Sequence, residues 1–78
     1  MTVVVKMPML SMSMSEGDLV EWLVEEGALV EEGQPIYSVE SEKAVMEVES
    51  PASGIIHRIA TAGTTLPVGA DLATIVPR

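Results

Sequence analysis

The chain has no cysteine and no phenylalanine, one tryptophan, one tyrosine, and four lysines and arginines among its 78 residues. Each shortage excludes something. Without cysteine there is no disulfide framework, no thiolate zinc site and no thiol nucleophile, and the redox compartment cannot be read from thiols. With Trp22 and Tyr37 as the only aromatics, the core must be built from valine, leucine, isoleucine and methionine. Twelve acidic residues against four basic ones give a formal net charge of −8. That charge repels nucleic-acid phosphates and anionic lipid surfaces, so neither nucleic acid nor membrane is an expected partner. Apolar runs last only a few residues, far short of a membrane span, and no basic start with an apolar run marks a signal peptide. The expectation is a soluble intracellular protein of one domain, residues 1–78, with a single core.

What the chain has in quantity is punctuation. Glycine and proline recur from Pro8 to Pro77 and leave segments of strand length between them. The segments Val3–Met7, Leu19–Val24, Pro35–Glu40, Ala44–Glu49, Ile55–Ala60 and Leu72–Val76 are rich in β-branched residues and predict an all-β fold. One rival exists over Glu16–Glu32, where leucines and acidic residues suit a helix. Gly17, Gly27 and Gly33 would each weaken that helix by about 1 kcal/mol.

A weak internal repeat organises the strands. Gly17, Trp22, Gly27, Gly33, Ile36 and Val39 are echoed by Gly54, Ile59, Gly63, Gly69, Leu72 and Ile75, with one residue fewer between the first two glycines of the second half. Neither half can close a core alone, so two similar halves are expected to pack as a small sandwich or flattened barrel, with Trp22 and its counterpart Ile59 both facing the shared core.

Between the halves lies Glu40-Ser41-Glu42-Lys43-Ala44. Folding the chain back on Glu42 and Lys43 pairs Val39 with Met46 and Tyr37 with Val48 on one face, and Ser38 with Glu47 on the other, a pattern that sets its own register. The two turn residues are poor at tight turning, which prefers Asn-Gly, Asp-Gly or Gly-X. A long charged side chain at such a tip is better explained by use than by folding. By the symmetry of the repeat, Lys43 is expected at the end of the molecule opposite the chain termini.

Other polar residues carry less. His57 has no orienting carboxylate or companion ligand at a recognisable spacing, so it is expected to be structural or merely exposed. Glu25-Glu26, Glu31-Glu32 and the Glu47, Glu49 pair read as solvated faces. Glycines at strand spacing make no phosphate loop. The run Pro8-Met9-Leu10-Ser11-Met12-Ser13-Met14-Ser15 leaves two readings open. Either Leu10 or Met14 plugs one end of the sandwich, or the flexible thioethers form a partner-contacting surface.

The sequence resembles the lipoyl domain of the 2-oxo acid dehydrogenase acyltransferases along essentially its whole length. The resemblance rests on Lys6-Met7-Pro8-Met9-Leu10-Ser11, Met14-Ser15-Glu16-Gly17, Glu21-Trp22, Glu26-Gly27, Glu32-Gly33, Val39-Glu40-Ser41-Glu42-Lys43-Ala44, Met46-Glu47-Val48 and Pro51-Ala52-Ser53-Gly54. It implies a flattened β-barrel of two four-stranded antiparallel sheets with pseudo-two-fold symmetry and the modified lysine at a hairpin tip.

In that family the tip lysine carries lipoic acid in amide linkage, which places the group on Lys43. Biotin-carrying relatives flank their lysine with methionine, whereas Glu42 and Ala44 stand here. The family more often has aspartate where this chain has Glu42. The resemblance further implies a non-catalytic carrier within an acyltransferase subunit. Its partners would be a thiamine-diphosphate 2-oxo acid decarboxylase, the acyltransferase catalytic domain, dihydrolipoamide dehydrogenase and a lipoate ligase or lipoyltransferase. Glu40, Glu42, Ala44, Met12 and Met14 would form the surface these enzymes read. A biotin carboxyl carrier and an unmodified interaction module remain the alternatives. The isolated domain is expected to be monomeric, and cytoplasmic in a bacterium or in the mitochondrial matrix of a eukaryote. Relatives usually continue into an Ala/Pro-rich linker and a catalytic domain. An end at Arg78 therefore suggests an excised domain or a free-standing carrier.

Overall fold

The computed structural model describes residues 2–9, 12–41 and 44–78. These residues form the strands β1 (Val3–Lys6), β2 (Glu16–Trp22), β3 (Leu29–Val30), β4 (Pro35–Ser41), β5 (Ala44–Glu49), β6 (Gly54–Arg58), β7 (Thr64–Pro67) and β8 (Asp71–Pro77), with no helix among them. The order β1-β8-β6-β3 makes a sheet that holds the outermost strands of the chain, called here the terminal sheet. The order β5-β4-β2-β7 makes the hairpin sheet, and all pairings are antiparallel. The all-β fold of two four-stranded sheets is as the sequence predicts. The rival helix is absent, since its first seven residues are β2. Each of the six expected segments overlaps a strand, and β5 has the predicted bounds. The strand pattern gave no sign of β3 and β7. The first has only two residues, and the second is a threonine pair followed by Leu66 and Pro67.

The repeat is a symmetry of the backbone. Advancing each strand by four converts the order of the terminal sheet into that of the hairpin sheet. Equivalent glycines make equivalent bonds: Gly27 N–H donates to the Ile56 carbonyl at 2.9 Å and Gly63 N–H to the Leu19 carbonyl at 2.7 Å. Gly33 and Gly69 take φ of 90° and 91°, a left-handed conformation that glycine adopts without a Cβ penalty. Their N–H groups donate to Ser50 and Met7, bridging one sheet to the next turn in each half. Under this symmetry the counterpart of the β4–β5 connection is the pair of chain ends, where Val3 lies opposite Ile75.

The core lies between the sheets. Leu19, Ile36, Val39, Ile56, Leu72 and Ile75 are completely buried, and each buried aliphatic side chain of this kind contributes about 1.5–3 kcal/mol. Period-two alternation puts Leu19 and Val39 inward while their strand neighbours Asp18 and Glu40 lie on the outer face of the hairpin sheet.

The expectation for Ile59 fails. Trp22 is half-buried, packs against the core and stacks at a tilt on Tyr37, with ring centroids 5.5 Å apart. Ile59, its counterpart, is 56% exposed. The missing residue in the second half explains the difference. β6 ends at Arg58, and the N–H groups of Ile59 and Ala60 both donate to the Leu72 carbonyl, at 2.9 and 3.0 Å. The chain bends there, turning Ile59 outward. The Trp22 indole N–H reaches the adjacent Ala60 carbonyl at 3.1 Å.

Candidate functional site

Alternating β-branched and polar residues make β4 and β5 an unbroken ladder towards their connection. Tyr37 lies opposite Val48, Ser38 opposite Glu47, Val39 opposite Met46, Glu40 opposite Val45 and Ser41 opposite Ala44. This is the register expected from the sequence. Ser41 and Ala44 are thus paired with two sequence positions between them, Glu42 and Lys43, which lie outside the described residues.

The other expected site residues differ in position. Glu40 and Ala44 are exposed at this end of the hairpin. Met12 is 99% exposed, whereas Met14 is 5% exposed and belongs to the core. Met14 Cε and Met7 Sδ would lie 2.7 and 3.0 Å from a Cβ on Gly17, so the missing side chain of Gly17 makes room for both thioethers. Of the two roles left open for the methionine run, Met14 takes the packing one. Leu10 lies outside the described residues.

The described strands of this sheet carry charge of one sign. The strands of the hairpin sheet carry Glu16, Asp18, Glu21, Glu40, Glu47 and Glu49, with no lysine, arginine or histidine. Asp18 sits between Glu40 and Thr65 in one cross-strand row and accepts a hydrogen bond from the Thr65 hydroxyl. The terminal sheet instead carries Lys6, His57 and Arg58, with Lys6 Nζ 2.8 Å from Asp71.

A second constellation escaped the sequence reading. Glu26 receives the Arg58 backbone N–H and lies 2.9 Å from His57 Nδ1, tying the β2–β3 connection to β6. The Arg58 backbone bond, and after it the His57 contact, hold the Glu26 carboxyl below its ordinary value. Beside this clamp, Trp22, Arg58 and Ile59 to Ala62 line an open groove of about 570 Å³, and the Arg58 guanidinium lies 5.9 Å from the Trp22 ring centroid. Glu26 and His57 are 31 residues apart, so no local spacing could have revealed the pair. No group of three or more His, Cys, Asp or Glu residues able to hold a metal occurs among the described residues. The Tyr37 hydroxyl is buried with no hydrogen-bond partner among the described residues, and burial pushes its pKa up to about 12.

With this geometry in hand, three relatives are informative. A family model described as "Biotin-requiring enzyme", of the biotin and lipoyl type, matches residues 3–75. The chain is 48% identical over 59 residues to the dihydrolipoyllysine-residue acetyltransferase component of the pyruvate dehydrogenase complex of Zymomonas mobilis, covering 76% of this chain and 13% of that protein. It is 43% identical over 72 residues to the dihydrolipoyllysine-residue acetyltransferase component of the acetoin cleaving system of Cupriavidus necator, covering 91% and 19%. The corresponding pyruvate dehydrogenase component of Rhizobium meliloti is 45% identical over 65 residues, covering 82% and 14%. The chain thus spans less than a fifth of the length of each of these relatives.

Proposed function

The chain belongs to the biotin- and lipoyl-attachment domain family, and from that premise we propose that it is a lipoyl carrier domain whose Lys43 holds lipoate through an amide. The observation that carries this reading is the β4–β5 register. From Tyr37 opposite Val48 it runs unbroken to Ser41 opposite Ala44 and brings the two strand ends together on either side of Glu42 and Lys43. Amide formation requires an accessible amine, and the exposed Ala44 and Glu40 beside the connection suit that need. Attached there, lipoate would supply a dithiolane that accepts an acyl group as its disulfide is reduced and yields it to coenzyme A.

The protein's own residues present and restrain. Paired strands backed by Val39 and Leu19 give the connection a stiff base, and the outer acids leave an electronegative surface around it. A tether of this kind raises the local concentration of its cargo at each enzyme it visits to roughly the millimolar range. The partners that the reading calls for are a thiamine-diphosphate 2-oxo acid decarboxylase, an acyltransferase catalytic domain, dihydrolipoamide dehydrogenase and a lipoate ligase or lipoyltransferase. The compartment is that of such complexes, the bacterial cytoplasm or the mitochondrial matrix. Glu40, Glu42, Ala44 and Met12 are the residues proposed to be read by those enzymes, and Met14 belongs to the core instead.

The test uses unmodified protein, lipoate ligase, lipoate and ATP, with intact mass as the readout. Wild type and Lys6→Arg should each gain one lipoyl group, and Lys43→Arg should gain none. Lys6 is exposed and paired with Asp71, so it is the natural competitor. A mass gain in Lys43→Arg refutes the assignment, and a gain with biotin ligase and biotin in place of the lipoyl reagents moves the chain to the biotin class.

A further inference from the structure

The two sheets have four edges, and three of them are blunted in ways that discourage strand addition. β1 has only four residues, and its last, Lys6, carries a charge paired with Asp71. β3 has two residues. β7 has four and ends at Pro67. β5 is different: it has six residues, Ala44–Glu49, without glycine or proline, and after one register shift beside Glu49 its pairing with β4 is continuous from Val48 to Ala44. All but one of its residues are exposed, including Val45 at 57% and Met46 at 49%. An edge strand of an antiparallel sheet turns alternate N–H and C=O groups away from its partner, so this strand offers a row of backbone donors and acceptors to a newcomer.

Its side chains say what the newcomer is. Glu47 and Glu49 stand two residues apart on the outer face, opposite Ser38 and Pro35 of β4, while Met46 and Val48 lie on the other face, opposite the core residues Val39 and Tyr37. A second copy of β5 laid antiparallel would bring glutamates against glutamates, which disfavours self-pairing. We propose that β5 is a strand-accepting edge for a partner protein. The incoming segment is extended, with lysine or arginine at every second position facing Glu47 and Glu49, and apolar residues between them covering Met46 and Val48. This surface goes beyond the carrier reading and does not depend on whether Lys43 is modified.

The test uses the unlipoylated chain and a blocked synthetic hexapeptide alternating arginine and valine, followed by amide chemical shifts and hydrogen exchange. Shift changes and slowed exchange should concentrate at residues 44–49. The dissociation constant should rise at least about fivefold from low to high salt, because exposed charges are screened over about 8–10 Å at physiological ionic strength. The same peptide N-methylated at alternate residues keeps its charge but loses its strand hydrogen bonds, and should not bind. A Glu47→Lys/Glu49→Lys double variant should prefer the peptide alternating glutamate and valine. Equal binding of the N-methylated peptide, shifts spread over the whole acidic face, no binding, or concentration-dependent pairing of β5 with its own copy would each overturn the proposal. None of these results bears on the lipoylation of Lys43.

Discussion

Leu29, Ile55 and Val76 form a row across the outer face of the terminal sheet, and Thr65, Asp18 and Glu40 form the equivalent row across the hairpin sheet. The backbone treats the two rows alike, yet one is apolar and the other is acidic. Inside, equivalent positions stay similar: Ile36 and Val39 answer Leu72 and Ile75, all completely buried. The core and the turns obey the symmetry because strand pairing and close packing constrain both halves in the same way. The outer faces are released from that constraint. The acidic row lies on the sheet whose β4–β5 connection contains the proposed attachment residue, Lys43, while the strands at the matching position of the other sheet, β1 and β8, are the first and last of the chain.

The largest test of the symmetry concerns the paired glycines that open each half. A Cβ on Gly54 would run into the Val76 carbonyl group and approach Pro77 Cα to 2.9 Å, all of it backbone. A Cβ on Gly17 would meet the ends of Met14 and Met7, which can move. Gly54→Ala should therefore cost on the order of 3–5 kcal/mol, much of what a domain this small has, and Gly17→Ala about 1–2 kcal/mol. Urea unfolding of both variants checks the order. If Gly17→Ala is the more damaging, the methionine packing is stiffer than the inter-strand contact and the two halves differ in rigidity, not only in surface.

The aromatic pair is the next asymmetry. Trp22 and Tyr37 occupy positions answered by Ile59 and Ala73, so bulk is concentrated in one half and the other contributes a bend. Trp22→Ala should cost about 3 kcal/mol, and Ile59→Ala less than about 1 kcal/mol, since only the former removes buried contacts and an indole hydrogen bond. Thermal melts followed by far-ultraviolet circular dichroism decide it. Comparable losses for the two variants would restore Ile59 to the core and make the two halves equivalent in bulk.

These contrasts also mark how far the sequence could be read. The alternation in Tyr37-Ser38-Val39 and Met46-Glu47-Val48 encodes a register, and that register is present because a slip of one residue would turn every core side chain outward. Lys43 stands out in the sequence because Glu42 and Lys43 lack the glycine or asparagine that a two-residue connection prefers. Leu29–Val30 is too short to show a period, and its pairing with Ile55 and Gly54 depends on a partner far along the chain. Ile59 was misplaced because the repeat was matched by residue type, while the one-residue deletion acts through backbone geometry. Glu26 and His57 meet only after β6 is laid beside the β2–β3 connection, which no spacing within either segment encodes.

That clamp supplies the smallest contrast. Glu26, His57 and Arg58 correspond to Ala62, Val20 and Glu21 in the other half, where no such bond can form. The carboxyl of Glu26 is held below its ordinary value in the folded chain, first by the Arg58 backbone N–H and then by His57. A carboxyl depressed in the native state stabilises it fully above the ordinary glutamate range, and the contribution is lost as the pH falls through the depressed native value. Because Glu26 is exposed, the effect is small and screened. Glu26→Gln should therefore be slightly less stable than wild type near neutrality. The gap between their urea midpoints should close as the pH is lowered below the usual glutamate range, with added salt narrowing it further at pH 7. A gap that stays constant down to acid pH would mean that the side chain acts through shape alone, and that the two halves differ in charge without that charge contributing to the fold.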